Sequence, residues 1–170
     1  MKALRQFSWV VGLLLGLALV AGGAFFIAKG VSAKAEIRAA LLEEQITTSQ
    51  DAEKVGGKAG VLVSDPTTAK WQSDTIKLHT LGRWGPYSKM AREDPNRQTY
   101  VNGVALRTAL NLAILGWGVA DLAIGTGAFI ILAGVATLGV AVPVLYWWGK
   151  PAVALESARA RPAQAPGLAD

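Results

Sequence analysis

Chemistry at neutral pH needs a base, a nucleophile or a set of metal ligands, and this chain offers few of each. It has one histidine, His79, and no cysteine among 170 residues. Thiolate metal sites, cysteine nucleophiles and disulfides are therefore excluded. A facial-triad iron site takes two histidines and a carboxylate, and the second histidine is missing. Zinc hydrolysis and histidine-based triads meet the same shortage. Glu43 with Glu44, and Glu93 with Asp94, resemble acid/base pairs in composition only. Exposed helix ends account for them more simply. The sequence leads us to expect no enzyme and no cofactor.

Asp121 is the residue most open to a chemical role. It is the only charge in an apolar run of 42 residues, 108–149. A carboxylate at mid-membrane costs about 2.5–3.5 kcal/mol on insertion scales. Two roles fit it: a proton or substrate path, or a polar contact with a neighbouring helix. In a continuous helix Gly118, Asp121 and Gly125 share one face at i, i+3 and i+7, and Asn111 and Thr126 add polarity. A small, polar face suits helix association. The Gly125-x-Gly127 pair is too short and too apolar in context for a phosphate loop. His79 stands near Trp71, Ile76 and Leu78 on an expected amphipathic helix. Without companion ligands a structural histidine is expected there. Trp71, His79, Trp84 and Tyr87 are expected to form a small core or a partner-docking surface.

The elements that carry these residues follow from charge and hydropathy. Charged residues make up 17% of the chain, where about a quarter is usual for soluble domains. The net charge is +5, yet residues 32–103 hold ten Lys/Arg against nine Asp/Glu. The surplus lies at Lys2, Arg5, Lys29, Arg107, Lys150, Arg159 and Arg161, which bracket the apolar runs. Membrane anchors place their basic residues this way, and nucleic-acid binders do not.

The first run, residues 7–28, has no charge in 22 residues. At ~1.5 Å per residue it measures about 33 Å, the thickness of a bilayer core. The alternative is a signal peptide cleaved near "VSA" at 31–33, but its apolar region would be only ~7–15 residues long. Lys2 and Arg5 predict a cytoplasmic N-terminus at the cell (plasma) membrane. Gly12 and Gly16 form GxxxG, a helix-packing motif, and Ala18 and Gly22 repeat the spacing. The helix is expected to continue to about Gln45. A short strand at 61–63 and a helix capped by Ser64 or Asp65, with Pro66 in its first turn and Gly82 at its end, should follow. Asp94 before Pro95 predicts the next helix start.

As one straight helix, residues 108–149 would measure ~63 Å, about twice a bilayer core. One resolution is a single tilted span that bends near Pro143, with Tyr146, Trp147 and Trp148 as an aromatic belt. The other is a tight turn at 125–127 and a third span. The basic tail favours two spans, because two return it to the cytoplasm. The fold class expected is an all-α membrane protein with two transmembrane helices, or three with the hairpin at 125–127. A mostly helical extracytoplasmic segment joins them. The boundaries are a cytoplasmic 1–6, a first span over 7–31, an extracytoplasmic segment over 32–103, a second span over 104–139, and an interfacial and cytoplasmic 140–170. Trp9, Arg107, Tyr146, Trp147 and Trp148 are the expected membrane-interface residues.

The pieces "RQFSWVVGLLLGLALVAGG" (5–23), "EEQITTSQDAEKVGG" (43–57), "IKLHTLG" around His79, "YSKMAREDPNR" (87–97) and "NGVALRTALNLAILGWGVADLAIGTGAFIILAG" (102–134) occur in a telling order. In order and spacing the chain resembles a family of small actinobacterial two-helix membrane proteins of unknown function, often labelled aromatic ring-opening dioxygenases. The resemblance implies two transmembrane helices around an extracytoplasmic segment, and no established activity. It departs after Gly134, where this chain stays apolar to Trp148. With a thin supply of core residues outside the apolar runs, the expected function is that of a non-catalytic accessory subunit. Its partners would be larger integral membrane subunits and the lipid bilayer, in an assembly of respiratory or membrane monooxygenase type. The alternative is a small homo-oligomeric transporter or channel component using Asp121.

Overall fold

Glycine costs about 1 kcal/mol relative to alanine in an exposed helix, yet the first apolar run carries Gly12, Gly16, Gly22 and Gly23, with Gly30 beyond. Their use is visible in the computed structural model, which describes residues 7–148 and 150. Helix α1 spans Ser8–Glu43. A 3-10 turn at Gln50–Val55, helix α2 at Pro66–His79, the single turn α3 at Leu81–Trp84 and a 3-10 turn at Tyr87–Lys89 follow. Helix α4 spans Arg97–Ala136, widens at Thr137–Ala141 and continues as helix to Trp148. The described residues are helical, with no strand. A lone antiparallel bridge, Thr47 to Leu62, stands where the short strand over 61–63 is expected. Ser8–Glu43 and Arg97–Trp148 are long and apolar enough to cross a membrane.

The chain divides into two compact units. Unit 1 comprises Met1–Phe26 and Thr126–Asp170, and unit 2 comprises Ile27–Gly125. Lys2, Arg5, Arg159, Arg161 and the 151–170 tail lie outside the described residues.

In unit 1, α1 and α4 run antiparallel and meet through missing side chains. A Cβ on Gly16 would lie 2.6 Å from Leu138, and one on Gly23 would lie 2.5 Å from the Gly127 carbonyl and 2.7 Å from Ile131. A Cβ on Gly134 would lie 2.8 Å from Val20 and 2.9 Å from the Gly16 carbonyl. Gly16 and Gly23 are seven residues apart, and so are Ile131 and Leu138. This is the 3.5-residue repeat of a coiled coil. Glycine replaces the usual knob, so the backbones close up as in membrane helix pairs. Gly12 and Gly16 of the GxxxG motif thus face α4 of the same chain, while Gly22 faces open space.

Helix α4 passes unbroken through 125–127, so the tight turn of the three-span alternative is absent. The Gly127 carbonyl instead stands where Gly23 approaches. Pro143 does not bend the chain away. It lacks an N–H and crowds the carbonyl four residues back. The helix absorbs this with a wide turn, in which the Val142 N–H donates to the Thr137 carbonyl.

Unit 2 is built differently. Its core is Val63, Ala69, Leu110 and Trp117, backed by Ile37, Leu41, Ile46, Ile76, Ala113 and Ile114. Gln45, at φ 51°, ends α1 in the left-handed region. The Thr48 N–H donates to the Val61 carbonyl at 2.8 Å, and the Val63 N–H donates to the Ile46 carbonyl at 2.8 Å, closing the loop between them. Asp65 caps α2: its carboxylate accepts from the Thr67 and Thr68 N–H groups at 2.8 and 3.1 Å. With Thr68 it forms a capping box, and Pro66 opens the first turn. The helix ends at His79 and Thr80, before the expected Gly82. Asp94 spends its carboxylate on the Asn96 N–H at 2.8 Å, a local turn, so α4 begins at Arg97 rather than at Pro95.

Candidate functional site

The residues singled out in the sequence fall at three places. The first is the Lys34–Asp121 ion pair of unit 2, in which the ammonium donates to Asp121 Oδ1. The lysine is 37% and the carboxylate 62% exposed. Asp121 therefore has a counter-charge within its own chain, five residues before unit 1 resumes at Thr126. Gly118 and Gly125, expected to share a packing face with Asp121, have open space around them. Asn111 turns to α2 instead, accepting from the buried Ser73 hydroxyl at 2.8 Å.

The second place is the end of α2. His79 Nε2 lies 2.7 Å from Asp51 Oδ2, and Lys54 lies 2.7 Å from Asp51 Oδ1. Hydrogen bonds from Lys54 and then His79 hold the Asp51 carboxyl below its ordinary value of 3.8, against a small opposing effect of burial. The cluster ties the 3-10 turn to the helix. The described residues hold no group of three or more His, Cys, Asp or Glu able to take a metal ion. Trp71 packs on Gly57, where a Cβ would come 2.6 Å from the indole. A shallow hollow of about 450 Å³ opens nearby between Val55, Lys77, Leu78 and Leu81.

The third place is an aromatic knot. Tyr100 is buried, with ring centroids of Trp84 and Tyr87 at 6.2 and 5.6 Å. The Arg97 guanidinium lies 4.3 Å over the Tyr87 ring. It donates to the Tyr87 hydroxyl at 2.6 Å and to the Met90 carbonyl at 3.0 Å. Trp84 and Tyr87 thus pin segment 81–97 to the start of α4, and Tyr87 alone of the two is exposed. Arg107 is half-buried on α4 within unit 2.

The interface aromatics cluster in unit 1. Trp9 meets Tyr146 edge to face at 5.9 Å, and Lys150 Nζ lies 4.4 Å over the Tyr146 ring. Trp147 and Trp148 are exposed.

One feature escapes a composition-based reading. On α4, Leu112, Leu115, Val119 and Leu122 are 61, 62, 58 and 70% exposed. They form a stripe on unit 2 directed away from its core. Beside the stripe runs an apolar groove of about 420 Å³, floored by Gly30, Ala33 and Gly116. The signal was present as the spacing 112, 115, 119, 122, but it is hidden in a segment where nearly every residue is apolar. No protein-family model, no curated protein and no solved structure matches the chain.

Proposed function

We propose that this chain is a membrane-anchored, non-catalytic accessory subunit that stabilises a larger assembly of integral membrane proteins at the plasma membrane. Unit 1 is the anchor. Its described residues 7–26 and 126–148 carry no charge. At ~1.5 Å per residue these stretches measure about 30 and 35 Å, matching a bilayer core. Trp9, Tyr146, Trp147, Trp148 and Lys150 suit an interface at one end of it. Unit 2 is the extracytoplasmic part, and the N-terminus is cytoplasmic.

The observation that carries this function is the Leu112, Leu115, Val119 and Leu122 stripe on unit 2. Four large apolar side chains in a row outside the bilayer mark an interaction surface. A membrane complex of respiratory or monooxygenase type is the kind of host such a subunit would stabilise. The transporter alternative draws on the exposed Asp121 carboxylate; its ion pair with Lys34 supports a contact within the chain instead.

A pull-down of the tagged native protein in mild detergent, followed by intact-complex mass spectrometry, tests the proposal. Larger membrane subunits in fixed stoichiometry are the expected result. A species made of this chain alone would overturn it. Asp121→Asn is expected to leave the host's activity and assembly unchanged. Loss of ion or proton movement with assembly intact would establish the transporter instead.

A further inference from the structure

Residues 32–103 are nearly neutral in sum, but their charges are segregated. Residues 32–76 hold five Lys/Arg against seven Asp/Glu, and residues 77–103 hold five against two. In unit 2 the basic group gathers where α2 ends and α4 begins. The aromatic knot holds it there. Trp84 and Tyr87 lie against Tyr100, and Arg97 binds the carbonyls of Met90 and Ala91. Arg83, Lys89 and Arg92 are carried on this ordered scaffold, and all three are exposed. Most carboxylates of these elements are spent on other groups. Asp74 pairs with Lys70, Asp51 with Lys54 and His79, and Asp94 with the Asn96 N–H. Glu53 and Glu93 remain, too few to balance the cations. At the same end lies the hollow of about 450 Å³, lined by Val55, Asp74, Lys77, Leu78, Leu81 and Gly82. Leu78 and Leu81 are 39 and 36% exposed in it. Lys77 stands on its wall, and Arg83 directly follows Gly82. We propose that this hollow and its basic surround bind an acidic segment of a partner protein, one that carries an apolar anchor residue among its carboxylates.

Charge and shape select this occupant. Guanidinium groups such as Arg83 and Arg92 take carboxylates in a two-pronged hydrogen bond. The leucine walls of the hollow suit one leucine or phenylalanine side chain, which adds the apolar anchor that interfaces use at their centre. An anionic polymer is a poorer match. Polyanion binders neutralise roughly 6–10 phosphates, whereas this patch offers Lys77, Arg83, Lys89 and Arg92 with Glu93 among them. Lipid headgroups are a poorer match again. Arg97 and Gly125 are 28 residues apart on α4, or ~42 Å of helix. With the bilayer ending near Thr126, the basic end stands several Debye lengths of ~8 Å beyond it. This step rests on the reading that unit 1 lies in the bilayer. In that reading the partner is a host subunit with an acidic extracytoplasmic stretch, and the contact is separate from the Leu112–Leu122 stripe.

A photo-reactive benzoylphenylalanine introduced at Leu78 or Leu81 of the full-length protein tests this in native membranes, with the exposed Lys58 as the control site. Mass spectrometry then identifies the cross-linked peptide. One segment with an excess of Asp and Glu is expected, at roughly ten-fold the control yield. Lys89→Gln with Arg92→Gln should lower that yield about five-fold, as should raising the salt from about 0.1 to about 1 M before illumination. Thermal unfolding checks that the variant is folded, and the salt series needs no change to the basic residues. Cross-links to lipid, to glycan or to a segment without acidic excess overturn the inference. So does a yield at the two leucines no greater than at Lys58, or one that neither the neutralised variant nor salt reduces. The pull-down separates this outcome from the fate of the accessory function. Larger membrane subunits recovered without the cross-link overturn the acidic-segment site alone. An acidic segment cross-linked from a soluble protein, with no membrane subunit recovered, supports the site and overturns the accessory function.

Discussion

Unit 1 and unit 2 use the same two helices differently, although the glycine contact continues into unit 2 at Gly30, where a Cβ would lie 2.7 Å from the Ala120 carbonyl. In unit 1 the contact surface is made by removing side chains: Gly16, Gly23 and Gly134 let the backbones touch. In unit 2 it is made by adding them: Trp117 and Leu110 fill a core with Val63 and Ala69. With unit 1 in the bilayer and unit 2 in water, as proposed above, the solvents account for the difference. Lipid gives apolar side chains no reason to cluster, so helix pairs gain from close backbone packing. Water drives large apolar groups together, so a core is built from volume. Within unit 2 a second contrast remains. The inner face of α4 is covered, and the outer face, equally apolar, is bare.

Substitutions at the two kinds of contact should break this contrast where it is strongest. Trp117→Ala should cost about 3–5 kcal/mol as a large-to-small change in unit 2, read from denaturant unfolding in detergent. Trp117→Phe should cost clearly less. Gly23→Ala adds one methyl to unit 1, yet is expected to cost ~1–3 kcal/mol or more, since that methyl meets the Gly127 carbonyl and the Ile131 backbone as well as the Ile131 side chain. A fully tolerated Gly23→Ala would show that the backbones of unit 1 are not in contact. Asp65→Ala removes the α2 cap and should cost about 1 kcal/mol, with faster amide exchange confined to the first turn of α2.

The smallest effects belong to the exposed charges. Asp121→Asn should change stability by less than about 1 kcal/mol, the usual worth of an exposed ion pair. The Asp51 carboxyl is held below its ordinary value when folded, so its contribution is present above that value and lost as pH falls through the lowered one. Amide protection around Gln50–Val55 should therefore weaken only below about pH 4, and should be indifferent to pH between about 5 and 9 with respect to Asp51. At Asp65, burial pushes the carboxyl up, but hydrogen bonds from Thr68 and Thr67 outweigh it and hold it low. The α2 cap should loosen in the same acid range.

Local signals in the sequence were the most legible. The Asp65 cap with Pro66 and the long first helix follow from residue type and spacing. The division of α4 did not. Hydropathy measures dislike of water, and it scores Leu110 and Trp117 alike whether lipid or protein covers them. Residues 104–125 read as part of a membrane span, and Leu110 and Trp117 among them pack with Val63 and Ala69 in unit 2. Gly118 and Gly125 read as a packing face, yet Gly23, Gly127 and Gly134 make the close contacts. Choosing among glycines requires the register of the partner helix. Lys34 as the partner of Asp121 lies 87 positions away, beyond any local pattern. Tyr100 illustrates the same limit: an aromatic beside an apolar run suits an interface, and only the fold brings Trp84 and Tyr87 onto it.

In the proposed arrangement the bilayer covers unit 1 and ends near the unit boundary, leaving the outer face of α4 for protein. Spin labels on single cysteines at Leu106, Gly118, Phe129 and Leu132 of the liposome-reconstituted protein test it directly, by comparing collisions with dissolved oxygen and with a water-borne nickel complex. Phe129 and Leu132 are expected to favour oxygen, while Leu106 and Gly118 favour the nickel complex or are shielded from both. An oxygen-rich profile at Gly118 equal to that at Leu132 would place the outer face of α4 in lipid and contradict the account.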